Sequence, residues 1–220
     1  MMDEEFFARL RKRVLPYFEI GDGHGFDHVE RVYNLAMKIS EGEDVDMDVV
    51  RAAVLLHDVA RGKEKGGIAL SSDEGNVCHA EEGARMAGVI LKEMGFPEEK
   101  IGKVVHAVAV HRYSKGLRAE TREAEVLQDA DRLDALGATI LVRMVQASVE
   151  WGVPIYDSGI PVKEVYDGSK SSVINHIYEK ILKLRPEFFK TDKAKEIAWG
   201  RYDFVKEFAE RYVKEVEGEL

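Results

Sequence analysis

His57 and Asp58 stand side by side in the stretch AAVLLHDVA, whose other members are all apolar. A helix formed by this stretch is buried, and an ionised carboxylate is expensive to bury unless it is paired or bound to a metal. The segment LQDADRLDALGA, residues 127–138, repeats the anomaly, with Asp129, Asp131 and Asp134 interrupting an otherwise apolar helical pattern. His28 shares a helical face with Val32 and Leu35, and His57 lies in line with Val50 and Val54. Taken singly, each histidine is more simply a hydrogen-bonded core residue. Together they amount to two imidazoles and at least two carboxylates on buried faces. Neighbours on a helix point about 100° apart, so His57 and Asp58 can both reach an ion lying over the groove between them. A divalent cation would relieve the burial cost of all these groups at once.

The elements that must position these groups are helices. Phe6, Leu10, Val14 and Phe18 recur at helical spacing, as do Val29, Val32, Leu35/Ala36 and Ile39, and then Val49/Val50, Ala53/Val54 and His57. On this pattern His57 and Asp58 fall in the middle of the third helix. A fourth helix covers 84–94 and a fifth starts at Pro97, with Glu98 and Glu99 in its first turn. The pattern predicts one long helix over 123–150 and two more near 172–184 and 191–217. Strand-like alternation is nearly absent, so the expected fold class is all-α. A single domain over residues 1–220 is expected, with a motif-bearing core of about 15–150 and C-terminal helices of about 171–217 packed on it. Two stretches, 61–78 and 151–170, are rich in Gly, Ser and Asp and interrupt the helices; loops of such length are usually lids, binding loops or disordered.

Composition narrows the partners. The 220 residues carry a formal net charge of −9, the wrong sign for a diffuse nucleic-acid binder, so no DNA or RNA polymer is expected. Cys78 is the only cysteine, which excludes an intramolecular disulfide and a thiolate metal site. No apolar run approaches the roughly 20 residues of a membrane span. The amphipathic N-terminus lacks the order of a signal peptide, and a cytoplasmic protein is expected.

HGFDHVERV, LLHDVAR and DADRLDALGA, in that order, resemble the signature of the HD superfamily of metal-dependent phosphohydrolases. HAEEGA at 79–84, VAVHR at 108–112 and NHIYEKILKL at 175–184 are similar to its small stand-alone branch, which includes bacterial nucleotide pyrophosphohydrolases. The resemblance covers roughly residues 15 to 210. It implies a helical bundle of the HD-domain type, with His28, His57, Asp58 and Asp131 as metal ligands. Asp129 is the rival to Asp131, as a supporting or alternate ligand. Such a set leaves open positions and mixes nitrogen with hard oxygen, which suits one octahedral divalent ion. Mn²⁺ comes first, with Fe²⁺, Co²⁺, Ni²⁺, Mg²⁺ and Zn²⁺ as alternatives.

The resemblance also implies metal-assisted hydrolysis of a small-molecule phosphomonoester or phosphoanhydride, most plausibly a nucleotide. Two rivals stand beside this reading. One is a cyclic or linear dinucleotide phosphodiesterase, against which counts Arg112 where binuclear relatives carry a second histidine. The other is a non-catalytic nucleotide- or metal-binding regulator, against which counts the complete ligand set. His79 faces the metal site on this reading. His111, in register with Val104, points inward, and His106, about 140° away, does not. Substrate contacts are expected from His24, His79, His111 and His176. A cationic phosphate-binding rim is expected from Arg31, Arg61, Arg112 and Arg132. Asp58, His111 and Glu82 are the expected catalytic residues, with proton transfer falling to Glu64, Glu82 or His111. The oligomeric state stays open, a dimer included.

Overall fold

A computed structural model describes residues 1–18, 25–64, 78–112 and 115–220, with the side chains of residues 63 and 64 outside that description. Among the described residues the architecture is all-α, with no strand. The chain divides into two compact units, 1–131 and 132–220.

The first unit is built around helix α3, Met47–Leu56, which runs between α1 (Glu4–Val14), α2 (Phe26–Ile39), α5 (His79–Glu93) and α6 (Glu98–Val110). Every residue of α3 after Met47 is buried, because apolar residues point outward on all sides and each meets a neighbouring helix. Phe6, Phe7 and Leu10 of α1, Val29 and Val32 of α2, Ala84, Ala87 and Leu91 of α5, and Val104 and Val108 of α6 complete the core. Gly83 permits the close approach of α5. A Cβ there would meet the His57 carbonyl oxygen at 3.4 Å and Val108 Cγ1 at 3.6 Å. Helix α7, Arg122–Asp134, is tied to the first unit by polar contacts. The Glu123 carboxylate accepts from the Asp46 backbone N–H at 3.1 Å, and the buried Gln128 side chain donates to the carbonyls of Val110 (2.6 Å) and Leu117 (3.1 Å).

Three expectations need correction. Helix α3 ends at Leu56, so His57 and Asp58 lie at its C-cap and in the turn beyond it, not at mid-helix. The start of the expected 61–78 loop is a helical turn, α4, Arg61–Glu64; residues 65–77 lie outside the described residues. The expected 123–150 helix is two helices, α7 and α8 (Ala138–Trp151). Gly137 separates them with φ +85°, a conformation open to glycine and strained for other residues.

The second unit holds α8, α9 (Val173–Glu179) and α10 (Asp192–Glu217). The Arg201 guanidinium of α10 donates to the Leu133 carbonyl at 2.6 Å, an acceptor left open where α7 ends. The 151–170 stretch is laced rather than loose. Asn175 donates to the carbonyls of Ile160 and Pro161 at 3.1 Å each, and the Lys163 backbone N–H donates to Glu179 at 2.9 Å.

Candidate metal centre

Helix ends of the first unit supply the site. His28 sits in the first turn of α2, His79 opens α5, and His57 and His111 are the C-caps of α3 and α6. The two C-caps share a local device. His57 Nδ1 lies 2.7 Å from the Val54 carbonyl oxygen, and His111 Nδ1 lies 2.7 Å from that of Val108, each three residues back. A carbonyl can only accept, so Nδ1 carries a proton and Nε2 is the nitrogen that faces the site. The same bond caps a carbonyl the helix end leaves open. Burial pushes His57 down to about 4, so it is neutral at pH 7 and presents a lone pair.

Two trios of inward-facing atoms result. In the first, His28 Nε2 is 3.3 Å from His57 Nε2 and 3.4 Å from Asp131 Oδ1. In the second, His79 Nε2 and His111 Nε2 are each 3.5 Å from Asp58 Oδ1. Asp58 links them, because its other oxygen, Oδ2, is 3.8 Å from His28 Nε2 and 3.9 Å from His57 Nε2. All of these residues are buried except Asp131, which is half-buried. Burial alone would raise both carboxyl groups. The imidazoles of His57 and His111 and the Arg61 guanidinium around Asp58, and the His28 contact at Asp131, outweigh it, so both carboxyl groups are held low and stay ionised. At His111 burial works downward, but the Asp58 contact and the Asp58 and Asp131 charges raise it overall.

The chemistry of this donor set fits a divalent ion. Metal–ligand bonds of about 2.1 Å place neighbouring donors about 3 Å apart, and the first trio with Asp58 Oδ2 is a slightly expanded version of that spacing. His57, a neutral imidazole directed at a second imidazole and two carboxylates, is the arrangement a cation stabilises.

The remaining expected residues fall in several places. Arg61 lies with its Nη1 3.5 Å from Asp58 Oδ1 and 3.4 Å from His79 Nε2. Arg112 Nη1 is 4.0 Å from Cys78 Sγ. Asp129 is fully buried two residues before Asp131 and belongs to neither trio. Arg31 pairs with Asp27 at 2.6 Å. Glu82, expected as a proton carrier, is bridged through both oxygens to Arg85 at 2.8 Å and belongs to neither trio. His106 accepts from the Glu120 backbone N–H, away from the trios, as its phase required. Arg132 and His176 belong to the second unit, where His176 is buried with ring centroids 5.4 Å from Trp151 and 5.2 Å from Tyr166. His24 and the side chain of Glu64 lie outside the described residues. Sequence reasoning missed Gln128 and Gly83. Gln128 was detectable as a further polar residue in the apolar α7 pattern; Gly83 carried no signal, since only packing reveals its close contact.

An all-α fold with buried His and His-Asp groups gathered at helix ends defines a class, and the HD domain family model matches residues 25–136. The chain belongs to the HD domain family and so to the metal-dependent phosphohydrolases. It is similar to an HD-superfamily hydrolase from Bacillus thuringiensis, with 30% identity and a TM-score of 0.75, covering 97% of this chain and 98% of that one. It is 29% identical over 200 residues to the uncharacterized protein YpgQ of Bacillus subtilis, covering 89% of this chain and 86% of YpgQ. The crystal structure of YpgQ in complex with ADP superposes with a TM-score of 0.69 at 25% identity, covering 98% of this chain and 95% of that one.

Proposed function

We propose that this chain hydrolyses a nucleotide phosphoanhydride or phosphomonoester with one divalent ion, Mn²⁺ first, held by His28, His57, Asp58 and Asp131. The observation that carries the reading is the shared Asp58 carboxylate, with one oxygen toward each group of imidazoles. When bound, the ion supplies Lewis acidity to a water molecule and to a phosphoryl oxygen. The chain supplies the rest. His57 is kept neutral and its ring fixed by the Val54 carbonyl, so its ligating atom is in place before substrate arrives. His111, raised by Asp58, is the group best suited to hold a proton beside the reacting oxygens. Arg61 and Arg112 offer donors to phosphate oxygens that gain charge in the transition state. A nucleotide is favoured because YpgQ, similar over nearly the whole chain, was crystallised with ADP. Cytoplasmic action fits a single cysteine, and no helix among the described residues is long and apolar enough to cross a membrane.

The test is a release assay over nucleoside mono-, di- and triphosphates with Mn²⁺, Mg²⁺, Co²⁺, Ni²⁺ and Zn²⁺ in turn. Metal-dependent pyrophosphate release identifies α–β cleavage, and phosphate release identifies a phosphatase. Tight nucleotide binding without turnover under any metal would overturn the enzymatic reading in favour of a regulator.

A further inference from the structure

The second trio is a set of electron-rich atoms around one point. Asp58 Oδ1, His79 Nε2 and His111 Nε2 lie within 4.8 Å of one another, and the three residues are buried. Such a trio is enough to start a second metal site. It already has a cation in it. Arg61 is three residues beyond Asp58, and the turn of α4 returns its side chain over the Asp58 carboxylate. Its Nη1 is 3.5 Å from Asp58 Oδ1 and 3.4 Å from His79 Nε2, so it contacts two of the three donors. A guanidinium keeps its charge at any physiological pH and is more weakly hydrated than an ammonium, which suits it to a buried acceptor set. A dication added to the trio would compete with it for the same lone pairs at a distance of a few ångströms.

We propose that Arg61 stands in place of a second metal, so that this chain binds one divalent ion and the Asp58–His79–His111 trio is closed to another by the guanidinium. The inference rests on the reading of His28, His57, Asp58 and Asp131 as the ligands of the first ion. It gives Arg61 two effects in one place. It neutralises the face of Asp58 that the first ion does not, and it keeps N–H donors at the position where a second ion would meet a phosphate oxygen. With 31% of its side chain exposed, it can do both from the mouth of the site.

The test is metal stoichiometry, independent of turnover. Full-length protein, Arg61→Ala and the near-isosteric Arg61→Gln are loaded with Mn²⁺, freed of excess ion, and measured by elemental analysis and low-temperature EPR. The unsubstituted chain should hold one Mn²⁺ with an uncoupled six-line spectrum. Both Arg61 variants should hold two, with the crowded multiline spectrum of a spin-coupled pair. Adding His79→Ala to either should return it to one uncoupled ion. Two ions in the unsubstituted chain, or one ion in Arg61 variants that melt cooperatively, would overturn the proposal. No bound ion in the unsubstituted chain would remove the metal-centre reading itself, a separate result from the other two.

Discussion

At the scale of single residues, the site depends on which atom each side chain turns inward. Asp131 reaches His28 while Asp129, also a carboxylate and more buried, joins neither trio. Asp131→Ala should therefore abolish Mn²⁺ binding and activity, whereas Asp129→Ala should weaken them only several-fold. Elemental analysis of the two variants checks this, and the reverse order would transfer the ligand role to Asp129. Arg112 makes a different contribution. Its guanidinium lies beside Cys78, at the residue that precedes His79. Loss of one charge-assisted hydrogen bond to phosphate corresponds to roughly tenfold or more. Arg112→Ala should raise KM by about that factor with metal content unchanged, because arginine does not ligate; steady-state kinetics beside metal analysis separate the two effects.

At the scale of elements, the positions of the candidate ligands follow from where helices stop. Helix α3 stops at Leu56 and α6 at Val110, and in each the next residue is a histidine that caps its own helix. The break after α7 is the sharpest. Gly137 holds φ +85°, and a Cβ there would approach Arg201 Cγ to 3.1 Å, close to the side chain that caps the Leu133 carbonyl. Gly137→Ala should cost about 1–2 kcal/mol, from the left-handed backbone and the contact together. For a chain of this size that lowers Tm by roughly 2–8 °C. Calorimetry of the variant checks it; an unchanged Tm would mean that the 135–137 connection relaxes freely.

At the scale of the whole molecule, metal and protons are linked to stability. With the metal removed, Asp58 and Asp131 remain ionised near one another in a buried site. If Mn²⁺ at about 100 times its Kd stabilises the chain by about 3 kcal/mol, chelation should lower Tm by roughly 5–10 °C, and fresh Mn²⁺ should restore it. A thermal melt with and without chelator reads this directly. Acid should act in the same direction on the metal-free protein. His57 is lowered to about 4 by burial, and His176 to about 4 by burial and by Lys180 and Lys170. Between pH 6.5 and about 4 the unfolded chain takes up these protons and the native chain does not, so stability falls as pH falls through that window. The lowered carboxylates add to the loss in the lower part of it. His111, raised, contributes stability below pH 6.5 that disappears as pH rises through its folded value. Melts at pH 7, 6 and 5 should show a declining Tm, and His176→Asn should flatten part of the slope. A Tm independent of pH across this range would contradict the burial of neutral imidazoles.

The sequence by itself determined the all-α class, because helical periodicity over ten or more residues is a local property of the chain. It also singled out His28, His57, Asp58 and His111 as candidates, with Asp131 and Asp129 as rivals, since a polar group on an apolar face is visible without coordinates. Tertiary structure decided which of them lie together. A periodic pattern does not encode where a helix stops, so the end of α3 before His57 and the break at Gly137 were hidden in continuous apolar spacing. Sequence reasoning kept Asp129 as a rival to Asp131, and only the three-dimensional structure shows that Asp131 lies against His28. The division of Asp58 between two trios and the placement of Arg61 between Asp58 and His79 bring together residues distant in sequence. Those depend on the three-dimensional meeting of helix ends, which no single segment contains.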